Sequence, residues 1–304
     1  MEAGGGGAEE EQVMSEVHLG CPPHFSGLHI SHFSFSSRPL GPSGDNDGVG
    51  GGGSELAAAT SGSFRSDCHL LTIQHGVTSS LKSVGLQVWK AALLLGDFVL
   101  HKSFSSSNFD GVTAIETGAG TDRGTDILDN CVANVHINSG MLKFDEAKVC
   151  VRELDWKTSW PPPVGTHVPS NPSRYIWSTS EVEEAEKATV LFAADVIYSD
   201  DLTDLFFGTV KKLMSCGAKK VLYSLEKRYN FSLDELDVVA NGYAHFRSFF
   251  TAQDGHGDPI DGYGPGFVGK QIDPAEIPQY IREYERGKDL ELWKIMYSPD
   301  QKQQ

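Results

Sequence analysis

The stretch GVTAIETGAG, residues 111–120, decides the fold. Val112, Thr113 and Ile115 give it a β-branched run, which ends in an acid, Glu116, and then in two glycines, Gly118 and Gly120, flanking Ala119. A run of this kind predicts a buried strand feeding a tight turn, with a carboxylate and closely approachable backbone amides at the strand mouth. Open α/β sheets bind ligands at that edge. A plain strand-to-helix turn has the same glycines, and Gly124 extends the run toward a nicotinamide-binding fingerprint. Spacing disfavours that fingerprint, because the acid it requires roughly 20 residues on is not there: Asp122 follows almost at once and Asp155 comes much later.

Upstream, Leu86 to Lys102 carries Val88, Trp89, Ala92, Leu93, Leu95 and Val99 at helical spacing. The stretch Trp89 to Leu100 is the most apolar of the chain, but Lys90 and Asp97 interrupt it and it is too short for a bilayer span. Downstream, Thr125 to Asn138 reads as a helix and KVCVREL, from Lys148 to Leu154, alternates like a strand. The segment between Asp155 and Lys187, with five prolines and three tryptophans, reads as a long loop. TVLFAADVIY is an apolar strand running into Asp195; Leu202 to Leu213 is helical; VLYSLEK is a strand; Leu233 to Phe250 is helical; and IPQYIREYERGKDLELWKIMY reads as an antiparallel hairpin around Arg286, Gly287 and Lys288. Strand and helix alternate as in a doubly wound sheet.

Residues 1–65 are rich in Gly, Ser and Pro and poor in apolar side chains, and are expected to form a disordered tail before a single domain over 66–304. The acidic, glycine-rich start lacks the pattern of a secretory signal, so an intracellular protein, nuclear or cytoplasmic, is expected. Lys and Arg number 25 against 41 Asp and Glu, a formal charge of −16, which argues against broad phosphate binding. Five scattered cysteines without a CxxC pair suggest neither a disulfide framework nor a zinc site. No metal site is expected, and the histidines of the tail repeat no ligand spacing.

Two further strand ends carry candidate chemistry. Asp155 and Trp156 offer a hydrogen-bond acceptor and a flat apolar surface, although a capping Asp beside a core Trp would look the same. In AADVIY a buried strand delivers Ala194, Asp195 and Tyr198 to one edge. Three such ends on one sheet would converge on a single crevice.

The segments GLQVWKAALLLGDFV, AIETGAG, VRELDW, LFAADVIYSDDLTD, SLEKRYNFSLDELDVVANGYAHFRS and LELWKI resemble the methyltransferase-like 22 branch of the family-16 seven-strand protein-lysine methyltransferases. The resemblance runs from about residue 80 to the end, with a faint match at SEVHL. It implies a Rossmann-like seven-strand methyltransferase sheet with a C-terminal antiparallel hairpin, S-adenosylmethionine as cofactor, and a partner protein offering a target lysine to a monomeric enzyme. By position it implies that Trp89 packs beside the cofactor, that Glu116, Gly118, Ala119 and Gly120 hold its methionine end, and that Asp122 takes the ribose. Asp155 and Trp156 would hold the adenine, Ala194 would floor the pocket, and Asp195 with Tyr198 would line the lysine channel as the catalytic pair. The chain departs from the family in one place. Thr117 stands where the family has Leu, and GAGT runs directly into DRGTDILDN, without the helix and strand that follow in the family. Those need at least about 15 residues, so one helix and one strand are expected to be missing. The chain is then either an impaired methyltransferase or a catalytically inactive relative acting as an interaction module.

Overall fold

The computed structural model describes residues 12–17, 27–36, 68–106, 109–118, 125–158, 160–165, 174–197, 199–217, 220–232, 237–253 and 266–297. Its strands in chain order are β1 (Gln12–Met14), β2 (Leu28–Ser36), β3 (Cys68–Gly76), β4 (Thr78–Ser80), β5 (Ala114–Glu116), β6 (Val190–Ala194), β7 (Lys220–Glu226), β8 (Asn230–Ser232), β9 (Asp237–Val239), β10 (Thr251–Ala252), β11 (Phe267–Ile272) and β12 (Leu290–Tyr297). The helices are α1 (Lys90–Ser105), α2 (Thr125–Leu142), α3 (Thr179–Lys187), α4 (Asp200–Ser215) and α5 (Asn241–Ser248). Among the described residues no helix is long and apolar enough to cross a membrane.

The central sheet has six strands in the order β10-β11-β12-β7-β6-β5. Strands β5, β6 and β7 run parallel, and β12 is antiparallel to both β7 and β11. Period-2 alternation gives the sheet two buried faces. On one, Leu191, Ala193, Val221, Tyr223, Leu225, Trp293 and Ile295 meet Phe206, Phe207, Val210 and Leu213 of α4 and Phe246 of α5. On the other, Val190, Leu222, Leu290 and Leu292 meet Ala91, Leu94, Leu95 and Phe98 of α1. A mixed sheet with helices on both faces is the expected α/β, Rossmann-like class.

Several expected elements differ. Helix α1 begins at Lys90 rather than Leu86, because residues 81–86 form a 3-10 turn. KVCVREL is not a strand. Glu153 instead receives its hydrogen bonds locally: its N–H donates to the Tyr175 carbonyl at 3.0 Å and its carbonyl accepts from Trp177 Nε1 at 2.7 Å. Arg152 pairs with Glu181. With that segment drawn to residues 175–181, β5 is the edge of the sheet.

The expected long loop contains α3, whose start is fixed by a capping box between Ser178 and Glu181; the Ser-x-x-Glu signal was there to be read. The expected helix from Leu233 to Phe250 is confined to α5, with β9 lying before it, since Val238 and Val239 favour the extended chain. The C-terminal hairpin exists, but its first arm is β11, not residues 277–286. Arg286 explains this. Its guanidinium gathers the carbonyls of Pro274, Ile277 and Pro278 and so holds residues 274–286 in a folded strap.

The expected disordered tail also needs correction. Two of its segments are strands paired to the chain beyond it: β1 pairs with β4, and β2 pairs with β3 along nine residues. Strand β2 hides its alternation because its inward positions are mixed: Ser31 and Phe33 are buried while Leu28, Ile30 and His32 are exposed. Ser31 is satisfied by a hydrogen bond with His75 Nε2 at 2.8 Å, so a polar residue fits inside. The free edge of β3 is covered by α2. Asn134 accepts from the Gln74 N–H at 2.7 Å and donates to its carbonyl at 2.9 Å, and Asn138 does the same for Thr72 at 2.9 and 2.7 Å. Each carboxamide replaces a strand partner.

Candidate active site

The three parallel strands each end in an acid. Glu116 closes β5, Asp195 follows β6, and Glu226 closes β7, with Ile115 paired to Leu191 and Ala194 paired to Ser224. Two ladder bonds continue past the strand ends, Thr117 N–H to the Phe192 carbonyl at 2.9 Å and Asp195 N–H to the Ser224 carbonyl at 2.8 Å. They fix the acids in register at the C-terminal edge of the sheet. Ala194 sits there too, half-buried.

Asp195 is the most constrained of the three. It is buried, and its backbone has φ of 52°, a left-handed conformation uncommon outside glycine, asparagine and aspartate. Such a conformation persists only where surrounding bonds enforce it. Burial raises its carboxyl above the ordinary range, and the Arg228 guanidinium, paired with Oδ2, pulls in the opposite direction.

Arg228 was not among the residues singled out from the sequence. Besides Asp195, its Nη1 lies 3.4 Å from Glu16 Oε1, and its guanidinium carbon is 4.8 Å from the centre of the Trp89 ring. Trp89 is the residue before α1; its Nε1 donates to the Val84 carbonyl at 3.4 Å, which sets the ring in place. Lys90, the first residue of α1, lies 3.9 Å from Glu226 Oε1. Glu16 arrives on the segment after β1, which is held by Ser15: its N–H donates to the Val77 carbonyl at 2.7 Å and its hydroxyl to the Val88 carbonyl at 2.6 Å. Burial pushes the Glu16 carboxyl up to about 7, helped by a hydrogen bond with Glu226 and opposed by Arg228. The faint SEVHL match and the acid ending VLYSLE were the sequence signals for Glu16 and Glu226.

Glu116 lies apart from this cluster. Its carboxylate accepts a hydrogen bond from the Gly118 N–H, and both its oxygens lie 3.4 Å from where a Gly118 Cβ would stand. A side chain at 118 would touch that carboxylate at ordinary contact distance. Desolvation, the larger effect, pushes Glu116 up to about 7, yet its surface is open to solvent. Water screens such a group, so only the direction carries weight.

The adenine pair is placed differently. Trp156 is buried on the α4 face of the sheet, its ring 5.3 Å from Phe206 in an edge-to-face contact. Asp155 accepts from the Lys157 N–H at 3.0 Å and so caps its own turn. Both follow the capping-Asp and core-Trp alternative. Ala119, Gly120, Asp122 and Tyr198 lie outside the described residues.

A mixed sheet of this order, with an acid after each parallel strand and an aromatic residue at the start of α1, defines a Rossmann-like fold of the methyltransferase type. Methyltransferase-like protein 22 of mouse is 35% identical over 253 residues, covering 76% of this chain and 60% of its own length; the human protein of the same name is 36% identical over 253 residues, covering 76% and 58%. The chain is similar to both and spans about 60% of the length of the mouse relative. No protein-family model matches it.

Proposed function

We propose that the chain derives from an S-adenosylmethionine-dependent protein-lysine N-methyltransferase and retains the substrate half of that site. The observation that carries the reading is the row of acids after β5, β6 and β7, with Trp89 at the same edge. The cofactor, when bound, supplies an electrophilic methyl group. Glu116 and the Gly118 backbone suit its amino-acid end, a carboxylate facing an ammonium at a close-packed turn.

The adenine end does not fit the described residues. Trp156 faces Phe206, Asp155 serves its own turn, and among the described residues β5 has no strand on its outer side. We therefore expect weak cofactor binding. Calorimetric titration of this chain, and of one with about 18 residues of helix and strand restored after Thr121, tests this. Equal micromolar affinity in the two would overturn it.

On the substrate side, Asp195 is placed to orient an incoming amine, and Trp89 offers an aromatic face to a cation. A second reading, a non-catalytic interaction protein, is favoured by one observation: the described residues leave the adenine end unbuilt. Absence of methyl transfer even in the restored chain would favour it.

A further inference from the structure

Arg228 lies where a cation is expected to bind. Asp195 and Glu16 flank its guanidinium, and Trp89 stands under it. The arrangement is built from four separate parts of the chain: the segment after β1, the start of α1, the end of β6 and the end of β7. We propose that Arg228 is the resident occupant of a cation-binding cradle formed by Glu16, Asp195 and Trp89, and that a cationic side chain of a substrate enters by displacing it.

This rests on reading Asp195 as the acid of the substrate channel and adds two positioning residues, Arg228 and Glu16. The burial of the members supports exchange. Asp195 has a side-chain exposure of 4%, so it cannot move into water, whereas Arg228 has 43% and can swing outward, leaving a buried carboxylate for an incoming cation to pair. The cradle keeps unused acceptor capacity, since Glu16 Oε2 and Glu226 Oε2 are buried without a hydrogen-bond partner among the described residues. The charges facing one another are the carboxylates of Glu16, Asp195 and Glu226 and the cations Arg228 and Lys90. Replacing one cation by another leaves that balance unchanged. A neutral or anionic side chain would leave Asp195 unpaired.

Removing the resident should open the cradle to a free cation. Arg228→Ala, without cofactor, is melted in increasing millimolar ethylguanidinium chloride and, separately, n-butylammonium chloride, with sodium chloride at matched ionic strength as control. The expected result is a lowered melting temperature that both cations restore saturably, with wild type unresponsive and the double variant Arg228→Ala with Asp195→Asn at least tenfold less sensitive. No saturable restoration, or equal restoration in the double variant, would overturn the proposal. Should Arg228→Ala fail to fold, Arg228→Lys serves. Its single ammonium cannot span both acids, so amide exchange over residues 12–17 should rise at least tenfold while β6 and β7 stay protected, and ethylguanidinium should reverse the rise. Unchanged exchange or no reversal would count against the cradle. Neither measurement involves methyl transfer, so their failure is distinct from failure of the proposed activity.

Discussion

Asp97 of α1 and Arg286 of the C-terminal strap form an ion pair at 2.6 Å in which the aspartate is wholly buried. Asp97 also accepts from the N–H groups of Tyr280 and Ile281, each at 2.8 Å, and from the Tyr284 hydroxyl. Its charge inside an apolar helix is thus satisfied on all sides, and the polar residue that breaks the hydrophobic run of α1 pins residues 274–286 across the sheet.

Removing one partner of such a pair leaves an uncompensated buried charge. Asp97→Ala or Arg286→Met is expected to cost about 3–5 kcal/mol, read from denaturant unfolding. A loss below 1 kcal/mol in both would show that the strap is held by its apolar contacts alone.

For Trp156 the burial against Phe206 points to stability rather than to ligand binding. Trp156→Ala should destabilise by about 3–5 kcal/mol, as for other large-to-small core changes. Had the ring supported an adenine in the open, the main effect would be weaker cofactor binding with stability nearly unchanged.

The Asn134 clamp on the edge of β3 gives a local test. Asn134→Ala leaves the Gln74 N–H without its protein partner, while the Gln74 carbonyl keeps the Asn130 amide at 3.0 Å; the expected cost is about 1–3 kcal/mol, with faster amide exchange over residues 72–76. If Asn134→Ala exchanges like wild type there, the clamp contributes nothing.

The raised carboxyl of Glu16, held up chiefly by burial, makes stability depend on pH. The folded pKa of Glu16, about 7, exceeds its ordinary 4.5, so the folded state holds more protons between these values. Its contribution is complete below about 4.5 and is lost as pH rises toward about 7. Glu16→Gln should flatten the fall across that window; an identical profile would refute the raised Glu16 carboxyl.

In a chain with the missing segment restored, Asp195→Asn tests the proposed amine-orienting role while tolerating the left-handed backbone. Turnover should drop by about a hundredfold or more, with a smaller proportional loss of stability. Wild-type turnover would remove Asp195 from the channel.

Local sequence decided the α/β class, because apolar runs such as TVLFAA and VLYSL pack on both sides and helices with one apolar stripe follow them. It also placed Glu116 and Asp195 at strand ends, since an acid cannot continue a buried run. The capping box of α3 and the hidden strand β2 were equally local but were masked by prolines, serines and histidines. What no local pattern carried was partnership. KVCVREL alternates like a strand, yet a strand exists only where a neighbour offers an unpaired edge, and its backbone found Tyr175 and Trp177 instead. Trp156 became core because Phe206 stands opposite it. Arg228 acquired its place only when the chain brought Glu16, Trp89 and Asp195 together from 212, 139 and 33 residues away in sequence. Burial and side-chain periodicity are written in short stretches of sequence; the pairing of charges and edges depends on which distant stretches the fold makes neighbours.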